Sequence, residues 1–97
     1  MFVLVCYDIG DVAGAGAERL KKVAQACLNY GARVQFSVFE CRINAPLWVA
    51  LRARLLEIHD PSRDSLRFYV LCENDERKVE VHGINKLVDP TGPLIID

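Results

Sequence analysis

Six apolar or aromatic residues run without interruption from Phe2 to Tyr7 and stop at Asp8. A strand with one wet face alternates apolar and polar residues, whereas a run apolar on both faces belongs at the centre of a sheet. Alternation sends Phe2, Leu4, Cys6 and Asp8 one way and Val3, Val5 and Tyr7 the other. Asp8 therefore closes a buried strand at its carboxyl end, where open α/β sheets place ligand groups. A carboxylate there either holds something cationic or caps the turn that follows. The strand alone leaves both readings open.

A chain of 97 residues makes one domain, large enough for a core but marginal by itself. Its apolar fraction of 52% is high for that size and points to surface buried against a partner. The net charge of −1 spreads no basic field over the molecule, leaving nucleic acid only a local patch. Cys6, Cys27, Cys41 and Cys72 show no CxxC spacing, and with His59 and His82 they match no zinc pattern. They read as small core residues of a reducing cytoplasm. The first apolar run is too short for a signal peptide or a membrane span, so the expectation is a cytoplasmic protein with no membrane contact.

After Asp8 come three glycines among small residues, from Ile9 to Ala17. Their spacing is not GxGxxG and no GKS or GKT follows, so a flexible connector is expected rather than a nucleotide cradle. An amphipathic helix is expected from Glu18 to Tyr30, burying Leu20, Val23, Ala24, Cys27 and Leu28, with Gly31 left-handed at its end. Arg19, Lys21 and Lys22 gather near its start, as a solvated face or as phosphate contacts.

The stretch from Arg33 to Ile43 is long for one strand and breaks more naturally into a hairpin near Phe36-Ser37. Asn44 offers an N-cap and Pro46 a first-turn residue for a second helix over 45–59, with Leu47, Leu51, Leu55 and Ile58 inward. Ser65 to Cys72 reads as a strand, Glu73 to Arg77 as a polar loop, and Lys78 to His82 as an edge strand. Leu94, Ile95 and Ile96, near the C-terminus, need a sheet edge on which to dock.

The order β-α-β-β-α-β is that of an α+β, ferredoxin-like sandwich over residues 1–82, with 83–97 as a tail or extra strand docking on a partner protomer. Two helices cover one face of such a sheet. Val3, Val5, Tyr7, Tyr69 and Leu71 make the opposite face apolar as well, and each gains roughly 1.5–3 kcal/mol on full burial. A face-to-face homodimer covers that patch.

Val5-Cys6-Tyr7-Asp8-Ile9, the run from Tyr30 to Gln35, Ser37-Val38-Phe39-Glu40-Cys41 and Asp64-Ser65-Leu66-Arg67-Phe68-Tyr69 occur in that order. In these motifs and over nearly its full length, the chain resembles the CRISPR-associated Cas two family of spacer-acquisition proteins. The Pro-Leu-Ile-Ile tail is similar to members from type I systems. The resemblance implies a ferredoxin-like homodimer whose C-terminal strand crosses to the other protomer. It implies Asp8 as ligand of magnesium or another divalent cation for phosphodiester hydrolysis, on RNA or duplex DNA. It also implies partnership with dimers of the Cas one integrase, and it marks Tyr7, Arg19, Arg33, Ser37 and Phe39 beside Asp8.

Magnesium takes one or two carboxylates and suits phosphate substrates, so two Asp8 residues related by a dimer axis make an adequate site and one makes a thin site. Asp11 is the nearest further acid and Glu40 a remote one. Arg19, Lys21, Lys22 and Arg33 are the expected nucleic-acid contacts, with Tyr7, Ser37 and Phe39 in support. Ala13 to Ala17 stand where many relatives carry basic residues, which lowers the number of phosphate contacts and the salt sensitivity of binding. Three functions remain open: a metal-dependent endonuclease, a non-catalytic bridge between integrase dimers and prespacer DNA, and a ferredoxin-like small-molecule module.

Overall fold

The computed structural model describes residues 1–83. The elements are β1 (Phe2–Asp8), α1 (Gly16–Leu28), β2 (Ala32–Gln35), β3 (Val38–Arg42), α2 (Ala45–Ile58) and β4 (Ser65–Leu71), followed by a 3-10 helix over Glu73–Lys78. The sheet order is β2-β3-β1-β4, and every pairing is antiparallel. This is the α+β, ferredoxin-like arrangement expected, with doubly apolar β1 between two neighbours. The stretch after Arg33 does break at Phe36-Ser37, and a register shift between Arg33 and Gln35 marks the bend. The tail expected over 83–97, with Leu94, Ile95 and Ile96, lies beyond Gly83 outside the described residues.

Both helices cover one face of the sheet. Val3, Val5 and Tyr7 pack there with Phe39, Cys41 and Ile43, under Val23, Ala26, Cys27, Leu51 and Leu55. The Asn44 side chain accepts from the Leu47 N–H at 2.9 Å and starts α2, with Pro46 in the first turn. Leu51 and Leu55 lie one helical turn apart and are fully buried. Leu47, expected inside, is 44% exposed. In that first turn of α2 it is Trp48, not Leu47, that packs against the core. No helix among the described residues is long and apolar enough to cross a membrane.

The membership of the two sheet faces differs from expectation. Val3, Val5 and Tyr7 stand opposite Val70, Phe68 and Leu66 on β4, and all are on the helix side. The helix-free face carries Phe2, Leu4, Cys6 and Asp8, opposite Leu71, Tyr69, Arg67 and Ser65. On its other flank β3 contributes Arg42, Glu40 and Val38. Alternation sorts residues into two sets; only the path of the connections decides which set the helices cover. The uncovered face is thus apolar in its middle and charged around it.

Three local expectations are also corrected. Gly31 is not left-handed, since among the described glycines only Gly83 has positive φ; the chain there runs so close to β3 that a Cβ would meet Cys41 Sγ and the Glu40 carbonyl. Residues 78–82 form no strand: Glu73–Lys78 is a 3-10 helix against β1, and Val79 and Val81 are 44% and 73% exposed. An alternating segment becomes a strand only where a ladder partner is available. The Ile9–Ala17 connector is tied down by hydrogen bonds. Asp11, at φ 53°, accepts from the N–H groups of Gly14, Gly16 and Ala15, and Gly16 sits where a Cβ would strike the Asp11 carbonyl.

Candidate nucleic-acid and metal site at the end of the central strand

Asp8 ends β1 on the helix-free face and is exposed. It pairs across the ladder with Ser65, and Arg67 follows on the same face opposite Cys6. Arg67 Nη1 donates to the Tyr69 hydroxyl at 3.2 Å, and that bond raises the guanidinium's pKa further. A carboxylate, a hydroxyl and a guanidinium thus share one corner of the sheet. Ser65 and Arg67 were not among the residues singled out by sequence. Their signal was there: in β4 the inward positions are Leu66 and Phe68, so Ser65 and Arg67 belong to the face of Asp8 once the register is known.

Tyr7, Ser37, Phe39 and Arg33 do come together, but behind the strand rather than beside the Asp8 carboxylate. The Tyr7 N–H donates to the Ser37 carbonyl at 3.1 Å and its hydroxyl to the Phe36 carbonyl at 3.3 Å. Its ring stacks on Phe39 with centroids 6.1 Å apart, and the Arg33 guanidinium lies 5.1 Å from the Phe39 centroid. Burial pushes the Tyr7 phenol up in spite of Arg33, and Arg33 Nε is buried with no hydrogen-bond partner among the described residues. This group fastens the end of β1 to the β2–β3 turn. It lies on the helix side of the sheet, away from the face that carries Asp8.

The Arg19 side chain is turned inward. Its Nε and Nη2 grip Asp64 Oδ2 and Oδ1 at 2.8 and 3.1 Å, and Nη2 also donates to the Gly10 carbonyl at 3.1 Å. Asp64 accepts two further bonds, from the Gly10 N–H at 3.0 Å and the Asp60 N–H at 2.8 Å. The Asp64 side chain is fully buried and that of Arg19 is 18% exposed. Hydrogen bonds from Arg19, then from the Asp60 and Gly10 N–H groups, hold the Asp64 carboxyl well below the usual range against its desolvation. Lys21 and Lys22 are exposed on α1. Lys22 borders a groove of about 330 Å³ between the helices, with Arg54 and Tyr30 on its walls.

Among the described residues no three His, Cys, Asp or Glu side chains are grouped to hold a metal ion. Asp11 is engaged in its own turn and lies 4.0 Å from Arg63. Glu40 is on the helix-free face opposite Leu4, two rungs further from Asp8 than Cys6. One chain therefore offers a divalent cation the single carboxylate of Asp8, a donor set that leaves room for waters and substrate phosphate.

Known proteins resemble the chain over nearly all its length. The family model described as CRISPR associated protein Cas2 matches residues 1–79. A protein of Chlorobaculum tepidum named CRISPR-associated endoribonuclease Cas2 is 49% identical over 96 residues, covering 99% of this chain and 100% of that protein. One of Halalkalibacterium halodurans named CRISPR-associated endonuclease Cas2 is 44% identical over 95 residues, covering 98% of this chain and 99% of that protein. The crystal structure of Streptococcus pyogenes Cas2 at pH 6.5 superposes with a TM-score of 0.75 at 47% identity, covering 86% of this chain and 100% of that one. With fold, motif order and relatives in agreement, the chain belongs to the CRISPR-associated Cas2 family.

Proposed function

We propose that this chain is a CRISPR-adaptation protein and a metal-dependent endonuclease on RNA or duplex DNA, acting as a homodimer with the Cas one integrase. The observation that carries the reading is the exposed Asp8 carboxylate at the end of the central strand, with Ser65 and Arg67 on the same face. The names of the relatives, endoribonuclease and endonuclease, support phosphodiester hydrolysis as the reaction class. A second copy seated on the helix-free face covers Leu4, Tyr69 and Leu71 and brings a second Asp8.

Magnesium accepts one or two carboxylates and keeps several waters, which fits this donor set. When bound, it polarises a phosphoryl oxygen and lowers the pKa of a coordinated water. The protein's own part is to bind and orient. Asp8 holds the cation, and Arg67 and Ser65 face the phosphate beside it. Lys21 and Lys22 neutralise phosphates along the backbone, while Arg33, over the Phe39 ring behind the strand, helps to fasten the strand end. Arg19, engaged by Asp64, contributes by fixing the connector.

The test is cleavage of single-stranded RNA and duplex DNA with magnesium by the full chain and by Asp8→Asn. The expected result is cleavage by the first and none by the second, with both dimeric; equal cleavage overturns the reading. One observation favours a second reading, a non-catalytic bridge between integrase dimers: the lone acid at the site. That reading expects spacer acquisition to survive Asp8→Asn, and loss of acquisition in a variant that still assembles counts against it.

A further inference from the structure

We infer that Asp64 is a positioning residue for Asp8, acting with Arg19 through the backbone of Gly10. The inference rests on the reading of Asp8 as the metal-holding carboxylate and says what aims it. Among the described residues Asp8 has no side-chain hydrogen bond or ion pair. What places its carboxylate is therefore the main chain on either side, which fixes the Cα–Cβ direction from which the side chain reaches.

Both sides lead to Asp64. Along the chain, Gly10 is two residues past Asp8, and its N–H donates to Asp64 Oδ1 at 3.0 Å while its carbonyl accepts from Arg19 Nη2 at 3.1 Å. Across the sheet, Asp8 pairs with Ser65, the residue after Asp64. One buried carboxylate thus holds the strand exit and sits at the start of the neighbouring strand. Its two oxygens receive four donors: Arg19 Nε and Nη2, Gly10 N–H and Asp60 N–H.

Such an arrangement is stiff for an electrostatic reason. A buried ion pair that loses one partner leaves an uncompensated charge, so small displacements of Gly10 are resisted more strongly than ordinary loop contacts resist them. The paired groups approach no ligand themselves. They act as the outer hydrogen-bond partners of metal sites do, by orienting the group that binds.

A purely structural role for Asp64 lowers the melting temperature and leaves the folded site unchanged. The positioning role moves the site in protein that is still folded. The test therefore compares the full chain with Asp64→Asn, Arg19→Lys and Asp8→Asn well below their melting temperatures. Two readouts are taken: the affinity for Mn²⁺ alone by calorimetry, and amide exchange at residues 8–11. Arg19→Lys keeps the charge but loses the fork, so it carries the test if Asp64→Asn does not fold.

The expected result is a fall in Mn²⁺ affinity of about tenfold in Asp64→Asn and Arg19→Lys, in line with the loss of outer-shell partners elsewhere. Exchange at residues 8–11 rises while the β2–β3 hairpin keeps its protection. Unchanged affinity and unchanged exchange in a folded variant overturn the inference. If the wild-type chain and Asp8→Asn bind Mn²⁺ alike, it is the metal reading of Asp8 that fails. Exchange at residues 8–11 then decides by itself whether Asp64 controls the position of Asp8.

Discussion

Arg19 and Asp64 stand 45 residues apart in the chain and meet through a bidentate pair, Nε to Oδ2 at 2.8 Å and Nη2 to Oδ1 at 3.1 Å. The bond joins the first turn of α1 to the residue just before β4. It converts the small-residue connector after Asp8 from a hinge into a fixed corner. Its consequences reach beyond that corner, and the first concerns pH.

The Asp64 carboxyl is held below its ordinary value, so the folded state releases this proton more readily than the unfolded chain. Stability from the pair is fully present above the unfolded pKa of about 4 and is lost as pH falls through the depressed folded value. Urea midpoints from pH 7 to 3 are expected to stay level to about pH 4 and then drop. In Asp64→Asn the starting stability is lower and the acid slope shallower.

Two thiols respond at the other end of the scale. Burial pushes Cys27 up to about 12, with Cys41 beside it adding to the rise, and burial pushes Cys41 up to about 11. Both should resist iodoacetamide at pH 8 in the native protein and react in denaturant, read by mass spectrometry. With folded values raised, their contribution to stability is intact below the unfolded thiol pKa of about 8.5 and declines as pH climbs through 11 and 12.

The packing of α2 makes a sharper contrast. Leu51 is fully buried while Val49, two residues earlier, is 66% exposed. Leu51→Ala should cost about 2–5 kcal/mol in urea unfolding, because it removes transfer energy and leaves a cavity. Val49→Ala should stay within about 0.5 kcal/mol.

At the start of the same helix, Asn44→Ala leaves the Leu47 N–H without its acceptor. A loss of about 1 kcal/mol is expected, and Asn44→Asp should restore most of it. The measurement is the urea midpoint of the three proteins side by side.

Nucleic-acid binding offers a separate check on Lys21 and Lys22, which are exposed on α1. If each neutralises one phosphate of a duplex, replacing both with alanine lowers the slope of log affinity against log salt by about 1.8, at roughly 0.9 per contact. An unchanged slope would show that the lysines form a solvated face.

Much of the fold was written locally. The unbroken apolar run of Phe2 to Tyr7 marks a central strand, and β1 does lie between β3 and β4. Asn44 and Pro46 announce α2, because capping chemistry acts over three or four residues. The place of Asp8 at a strand end follows from the same short-range rules, and motif order carried the family.

What waited for the tertiary structure was every relation between distant segments. Alternation could not say that Val3, Val5 and Tyr7 lie beneath the helices while Leu4 and Asp8 do not. Nothing near Arg19 pointed to Asp64, so an arginine read as a phosphate contact proved to be the partner of a buried carboxylate. Residues 78–82 carried a strand pattern, yet a ladder is a property of two segments, and this one has none among the described residues. Local propensity and periodicity are settled within a few residues by sterics and hydrogen bonding. The choice of face, ion-pair partner and ladder is settled only when chain folding brings remote groups within a few ångströms.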